Sequence, residues 1–157
     1  MVNINAMSLD INSLIRKAQE LCRKDKNEES KEVLLPLLNE ETDKKQSFMI
    51  FTLLGGNFQE LKEYEKAIFF FKKALELYPK VEGVSLGIYL CYAHLEEYDL
   101  ALEEIFRFLK EHKAAVDMYK VTLEELLTDI RDGHIQKDED IENIQNFAKE
   151  FNVKLEE

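Results

Sequence analysis

Histidine and cysteine are the side chains of this protein best suited to catalysis or metal binding. Neither occurs at the spacing that such chemistry needs. The histidines lie outside any H-E-x-x-H motif, whose two imidazoles share one helix face and hold zinc; they are His94, His112 and His134. His94 and Glu97 form only an H-x-x-E pair, which often arises by chance. Cys22 and Cys91 belong to no C-x-x-C pair, so we interpret them as reduced core thiols.

Other catalytic and ion-binding motifs are missing from the sequence as well. Gly55-Gly56 follows no strand and precedes no G-K-[ST], so it does not predict a phosphate-binding loop. Asp132-Gly133 and the acidic residues at 138–140 lack the alternating oxygen ligands of a calcium loop. No G-x-S-x-G motif supplies a nucleophile. We therefore predict a protein that is not an enzyme and that uses no cofactor and no metal.

Length and composition point to a helical protein. A chain of 157 residues can bury a core without disulfides or metals. Five Gly and two Pro leave little room for the turns of an all-β fold, and Lys, Glu and Leu, which dominate the chain, favour helix. The N-terminus has no signal-peptide pattern, and the apolar windows are too short to span a bilayer. We expect a soluble, cytoplasmic protein.

Negative charge is concentrated in the second half of the chain. Residues 94–157 carry 18 Asp or Glu and 8 Lys or Arg, a net charge of −10, whereas residues 1–93 carry 14 and 13, a net charge of −1. An acidic half repels phosphate backbones and anionic membranes, but it can steer a basic protein. We predict a basic or amphipathic protein or peptide partner, no nucleic acid and no membrane. Charge reversal at Glu103 and Glu104 is expected to weaken such binding.

Apolar residues recur at helical spacing along the whole chain. The first helix is predicted to begin near Asp10 or Ser13, because either residue can cap it. Pro36 predicts a late start or a kink in the second helix. Asp132-Gly133 predicts a break, and acidic residues from Asp138 onward predict the first turn of a final helix.

The stretch from Phe48 to Pro79 contains the clearest pattern. It predicts two amphipathic helices with a turn between Glu60 and Glu63. Small and aromatic residues within it follow the spacing W-x2-L-G-x2-Y…A-x3-F…P; they are Phe51, Leu54, Gly55, Phe58, Ala67, Phe71, Ala74 and Pro79. The segment therefore resembles a tetratricopeptide repeat (TPR), with Phe at the Trp and Tyr positions. The resemblance implies a scaffold that binds proteins.

Residues 82–115 repeat the pattern at the same period but depart from it at several positions, including Lys113 in place of the terminal proline. The matching residues are Tyr92, Tyr98, Ala101 and Ile105. Ser85 stands at the position of the large aromatic, and the bulky Tyr89 and Phe108 stand at positions that are usually small. Bulky residues keep helices apart, so we expect a wider spacing or a changed packing angle here.

The predicted fold is an all-α, TPR-like solenoid. It comprises about eight antiparallel helices in hairpins that stack as a short right-handed superhelix. A single domain covers residues 1–157, with a divergent hairpin at 10–41, the clear repeat at 48–81, a second repeat at 82–115 and a capping hairpin at 116–153.

In the TPR family, the first helix of each hairpin lines a concave groove. The resemblance implies that eleven residues of this chain line such a groove: Met49, Thr52, Gln59, Glu60, Leu86, Leu90, Ala93, His94, Lys120, Glu124 and Leu127. Family members that clamp the C-terminal carboxylate of heat-shock chaperones use Lys, Asn and Arg at positions where this chain has Thr52, Gly56 and Glu124. These residues cannot form a bidentate carboxylate clamp, so we exclude that ligand.

The sequence thus predicts a protein-interaction module, either an adaptor or a dedicated chaperone, that uses its concave face and its acidic half. An immunity-like or antitoxin-like protein that neutralises a basic toxin is the alternative. Homo-oligomerisation through the edge hairpins, by Phe147 and Phe151 or by the first helix, is a third use that the pattern leaves open.

Overall fold

Helices joined by short connections make up nearly all of the structure. A computed structural model describes the backbone of residues 4–156 and the side chains of residues 10–156. Met1 to Asn3, which belong to the segment without a signal-peptide pattern, lie outside the described residues. No strand occurs within residues 4–156. The helices are α1 (Ile4–Arg23), α2 (Asn27–Leu34), α3 (Lys44–Glu60), α4 (Tyr64–Leu77), α5 (Glu82–His94), α6 (Tyr98–Glu111), α7 (Tyr119–Arg131) and α8 (Asp138–Glu150), with 3-10 turns at Leu35–Asn39 and Lys113–Ala115.

Consecutive helices pair as four antiparallel hairpins, α1–α2, α3–α4, α5–α6 and α7–α8, which stack in chain order. The predicted all-α fold of eight helices in antiparallel hairpins is therefore confirmed for the described residues. The spacing between hairpins is uneven. The backbone of α7 approaches α5 and α6 less closely than α5 approaches α3 and α4. This is the wider spacing expected from Tyr89 and Phe108.

Local signals in the sequence set most of the helix ends. A capping box starts α3: Asp43 Oδ1 accepts the Gln46 backbone N–H at 2.7 Å, and Gln46 Oε1 accepts the Asp43 backbone N–H at 3.1 Å. Pro79 lies just beyond the end of α4, where it cannot interrupt a helical hydrogen bond. Three predictions are confirmed: the turn between Glu60 and Glu63, the break at Asp132-Gly133 and the start of the final helix at Asp138.

Two predictions about the first hairpin were wrong. The α1 helix begins at Ile4, so Asp10 and Ser13 lie inside it and neither caps it. Pro36 neither kinks α2 nor delays its start. It lies near the beginning of the 3-10 turn Leu35–Asn39, where its missing N–H costs no helical hydrogen bond.

The first helix of every hairpin ends in the same kind of turn. Asp25, Lys62 and Glu96 have left-handed backbone conformations with φ of 59°, 61° and 59°, and Gly133 has φ of 79° at the fourth turn. The next residue donates its N–H to the carbonyl five positions earlier, at 2.8 to 2.9 Å, in all four turns. This is the Schellman motif, in which only glycine avoids the steric penalty of positive φ.

The Phe71 ring lies between two glycines of neighbouring helices. A Cβ at Gly55 in α3 would stand 2.5 Å from Phe71 Cδ1, and a Cβ at Gly87 in α5 would stand 2.8 Å from Cε2. Both distances are too short for any side chain, so the ring occupies the space that the glycines leave free. Gly55 therefore permits the close packing of α3 and α4. The role of Gly87 was missed because the repeat pattern expects glycine two residues later, at Tyr89.

Buried apolar side chains form two clusters. The first apolar cluster draws on α1 to α5, including Ile15, Leu34, Leu54, Phe71 and Ile88. The second apolar cluster draws on α6 to α8, including Ile105, Phe108, Tyr119, Leu123 and Ile144. The fully buried Tyr119 packs its ring against Phe108 and Tyr89, with centroids 5.6 and 6.2 Å apart. Aromatic side chains thus take part, with the aliphatic residues of the second apolar cluster, in holding the last hairpin.

A buried carboxylate of α5 caps the N-terminus of α7. Glu82 is only 7% exposed, and it accepts the backbone N–H of Asp117 at 2.6 Å and that of Tyr119 at 3.4 Å. It also accepts the N–H of Met118. A carboxylate is stabilised at a helix N-terminus by these donors and by the helix dipole. The cap of the last hairpin thus comes from the preceding hairpin.

Polar side chains continue this contact toward α6. Ser85 Oγ donates to Glu104 Oε1 at 2.7 Å and lies 2.8 Å from the Tyr119 hydroxyl, while Arg107 pairs with Glu104 at 2.6 Å. We call Glu82, Ser85, Glu104, Arg107 and Tyr119 the polar joint. The Glu104 side chain is only 11% exposed. Glu104 therefore belongs to the polar joint, whereas Glu103 is exposed. The expected effect of charge reversal at these two residues on binding stays a prediction.

Candidate functional site

All eleven residues of the predicted groove retain solvent exposure, as a binding surface requires. They lie on α3, α5 and α7, the first helices of the last three hairpins. The half-buried members are Met49, Thr52, Gln59, Leu86, Ala93 and Leu127. The exposed members are Glu60, Leu90, His94, Lys120 and Glu124.

The middle of the predicted groove is apolar. Leu90 on α5 is 38% exposed, although leucine is normally buried, and Leu86 lies one helical turn before it. Met118, which is 48% exposed, brings its Sδ within 3.8 Å of the position that a Cβ on Gly83 would occupy. Met118 therefore extends the apolar surface at the start of α5. Its contact was missed because it joins residues 35 positions apart.

Three predicted groove residues are partly enclosed by the protein or lie against other side chains of the chain. The Thr52 hydroxyl is buried and has no hydrogen-bond partner among the described residues. The His94 imidazole stacks on the Tyr64 ring, with centroids 4.8 Å apart and planes within 1° of parallel. Leu127 lies beside Gln145 and other residues of α8. Leu127 also packs against the second apolar cluster, as Leu86 of α5 does.

The central hairpin, α3–α4, has the close packing of a helical repeat unit. Its helices are joined by a three-residue turn, and Ala67 and Ala74 of α4 are fully buried. Residues 50–81 match the family model of the tetratricopeptide repeat. The chain contains a tetratricopeptide repeat. This confirms the resemblance seen in the sequence, while no curated protein shows significant similarity to the chain.

Tetratricopeptide repeats are typical of protein–protein interaction modules, and they are generally scaffolds rather than enzymes. The repeat therefore indicates an interaction function for this chain. Among the described residues, no group of three or more His, Cys, Asp or Glu side chains could hold a metal ion. No helix within residues 4–156 is long and apolar enough to cross a membrane.

A cavity of about 590 Å³ opens between the third and fourth hairpins, beyond the tetratricopeptide repeat. We call it the acidic cavity; Tyr98, Asp99, Asp129, His134, Lys137 and Asp140 line it together with Tyr89. It lies where the hairpins are widely spaced and where the long connection between α7 and α8 passes. This cavity could not be predicted from the sequence, because its walls come from four helices and one loop.

The acidic cavity carries a negative field. Burial raises the pKa of the Tyr89 phenol, and together with the nearby carboxylates of Glu125 and Asp129 it brings this pKa to about 12. The Asp129 carboxylate lies 3.3 Å from His134 Nδ1, and this histidine is largely exposed. Lys137 is the basic side chain of the lining. The three aspartates therefore outweigh the lysine at this site.

Proposed function

We propose that this chain is a non-enzymatic adaptor or dedicated chaperone that binds a basic or amphipathic protein segment. The segment would lie on the predicted groove, with its basic residues toward the acidic C-terminal half. The exposure of Leu90 at the middle of α5 carries this proposal, supported by its half-buried neighbour Leu86. An apolar strip beside acidic side chains such as Glu124 suits the apolar face and the cationic edge of one ligand segment.

Matched leucine variants test whether the groove carries the interaction. Leu90→Glu should reduce capture of the partner from native lysate by about tenfold or more, because a charge replaces the central apolar contact. Leu100→Glu is the control, since Leu100 lies on α6 and is 41% exposed, close to the 38% of Leu90. Mass spectrometry of the captured proteins identifies the partner. The groove proposal would be contradicted if both variants reduced partner capture equally, or if neither variant reduced it.

Charge variants test the role of the acidic half. The association rate should fall about tenfold from low to high salt if long-range attraction steers a basic partner. Glu124→Lys in α7 should slow association, while Glu142→Lys in α8, which has an equally exposed side chain, should have a smaller effect. If neither salt nor Glu124→Lys changes the association rate, the acidic half does not steer the partner.

The alternative function is neutralisation of a basic toxin, and it is favoured by the same net charge of −10 in residues 94–157. The identity of the captured protein distinguishes the two functions. A basic nuclease-like protein whose activity is inhibited by one equivalent of this chain would support neutralisation. A partner without such an activity would support the adaptor or chaperone function.

A further inference from the structure

We propose that the acidic cavity binds an arginine side chain of the partner protein. The inference rests on the proposed function, because it specifies the chemistry by which a basic partner is recognised. It adds a second contact site to the predicted groove, at the open end of the third and fourth hairpins. Three features of the cavity carry the argument: a ring without a stacking partner, carboxylates without counterions, and sufficient volume.

Tyr98 presents a ring without a stacking partner at the rim of the cavity. Its equivalent one repeat earlier, Tyr64, is covered by the His94 imidazole. The same 34-residue step from His94 leads to Thr128, which has no ring to stack. Tyr98 is 61% exposed and makes no ring contact among the described residues. A planar cation can stack on the Tyr98 ring as the His94 imidazole stacks on the Tyr64 ring.

The carboxylates beside Tyr98 are available to a cation. Asp99 follows Tyr98 in the first turn of α6, and Asp140 reaches the cavity from the first turn of α8. Neither carboxylate forms an ion pair within the part of the chain that the structure describes. The Asp129 carboxylate on α7 approaches only the exposed His134 there. Three helices thus contribute carboxylates to a cavity whose lining, among the described residues, contains a single lysine, Lys137.

The shape of the site favours a guanidinium over an ammonium group. A guanidinium is planar, so it stacks on a tyrosine ring while its N–H groups donate to a carboxylate in a bidentate pair. An ammonium is compact and strongly hydrated, so it gains less from the ring. The volume of about 590 Å³ lies within the range of known ligand sites, roughly 300–1,000 Å³, and admits a long side chain.

Titration of the ¹⁵N-labelled full chain with argininamide tests the site directly. Saturable amide shifts are expected at residues 98–102 and 129–140, with a dissociation constant on the order of millimolar. The side chain of lysinamide is charged but has no planar group, and the side chain of citrullinamide has a planar group but no charge. Both should bind more weakly, citrullinamide by about tenfold or more. Shifts spread over the surface, or equal binding of argininamide and citrullinamide, would overturn the proposal.

Variants of the lining separate the ring from the charges. Tyr98→Phe keeps the ring and should retain binding, whereas Tyr98→Leu should weaken argininamide binding about tenfold. Asp99→Asn combined with Asp140→Asn should weaken it by at least as much. Circular dichroism checks that each variant remains folded. Binding that survives both Tyr98→Leu and the double aspartate variant would show that the cavity is not the site.

The groove variant Leu90→Glu distinguishes the two proposals. It should leave argininamide binding unchanged, because Leu90 does not line the acidic cavity. Loss of partner capture with Leu90→Glu, combined with no argininamide binding in the cavity, would leave the groove proposal standing and overturn the arginine site. If argininamide binds at the cavity and Leu90→Glu does not change the amount of partner captured, the arginine site is supported and the groove proposal is contradicted.

Discussion

The two apolar clusters join their hairpins by different means. Around Phe71, a ring occupies the space left by Gly55 and Gly87, and the helices approach closely. Around Tyr119, the helices stand farther apart, and the polar joint links them through hydroxyl, carboxylate and guanidinium groups. Tyr89 at a position that is usually glycine marks the change. Where bulky side chains keep the helices apart, hydrogen bonds thus add to the apolar contacts between hairpins.

The difference has an energetic meaning. Buried apolar contacts tolerate small shifts, because they do not depend on hydrogen-bond geometry. A buried polar network stabilises only when every member keeps its partner, because an unpaired carboxylate or hydroxyl costs free energy away from water. The junction around Tyr119 should therefore respond more sharply to loss of one polar atom, and the junction around Phe71 to loss of apolar volume. Variants in each half can test this contrast.

Removing the Phe71 ring should cause the largest loss of stability. Phe71→Ala is expected to lower the free energy of unfolding by about 3–5 kcal/mol, because the buried ring leaves a hole that two glycines cannot fill. Urea denaturation followed by circular dichroism measures the change. Phe69→Ala is the matched control, since Phe69 is 55% exposed and should cost far less. Similar losses of stability for both variants would contradict the tight packing around Phe71.

Removing the charge of Glu82 should have the next largest effect. Glu82→Gln is expected to cost about 2–3 kcal/mol, because a neutral amide replaces a buried carboxylate that accepts three backbone N–H groups. Hydrogen exchange should show protection lost in α7 and α8 and retained in α3 and α4. Glu103→Gln, at an exposed position, is the control. Equal loss of protection in all four helices would show that the joint is not local.

Neighbouring glycines in α3 should respond with opposite signs. Gly55→Ala is expected to cost about 1–2 kcal/mol, since crowding against Phe71 exceeds the gain in helix propensity. Gly56→Ala should stabilise by about 0.5–1 kcal/mol, because no atom lies within 4 Å of the added Cβ. Thermal unfolding of the two variants measures both changes. Stabilisation by Gly55→Ala would mean that the ring is not tightly enclosed.

The buried Cys91 thiol predicts a small pH effect in the first cluster. Burial raises its pKa to about 12, above the ~8.5 of an unfolded thiol. The stabilisation is complete below the unfolded pKa and is lost as pH rises toward 12, because the unfolded thiol ionises first. From pH 7 to 9, the wild type should lose about 0.8 kcal/mol more than Cys91→Ala. Identical pH profiles in denaturant titrations would contradict burial of the thiol.

Local sequence signals were sufficient to predict the hairpins. The pattern from Phe48 to Pro79 identified the repeat, and Asp132-Gly133 identified a helix end, because helix periodicity and chain breaks depend on neighbouring residues. The first helix began earlier than predicted, since a residue that can cap a helix can also lie inside one. Helix ends are less certain than helix existence for this reason.

Contacts between hairpins could not be predicted from the sequence. Glu82 meets the start of α7 across 35 to 37 positions, and nothing near Glu82 in the chain signals a cap. Gly87 was overlooked because a fixed motif placed glycine elsewhere. The use of the eleven groove residues stays a prediction, and the family pattern did not indicate that the Tyr98 ring lacks a stacking partner. Whether another ring covers Tyr98 depends on which side chain of the next hairpin lies beside it.

The left-handed turns are positions at which glycine substitution should stabilise this scaffold. Asp25, Lys62 and Glu96 are exposed and hold a conformation that costs a non-glycine residue roughly 1–2 kcal/mol. Glycine at Lys62 and Glu96 should raise the melting temperature, with each change adding about 0.5 kcal/mol after the entropy of the unfolded chain is counted. A lower melting temperature would show that this entropy dominates. The first helix of each hairpin could thus be made to end more firmly without altering the groove or the acidic cavity.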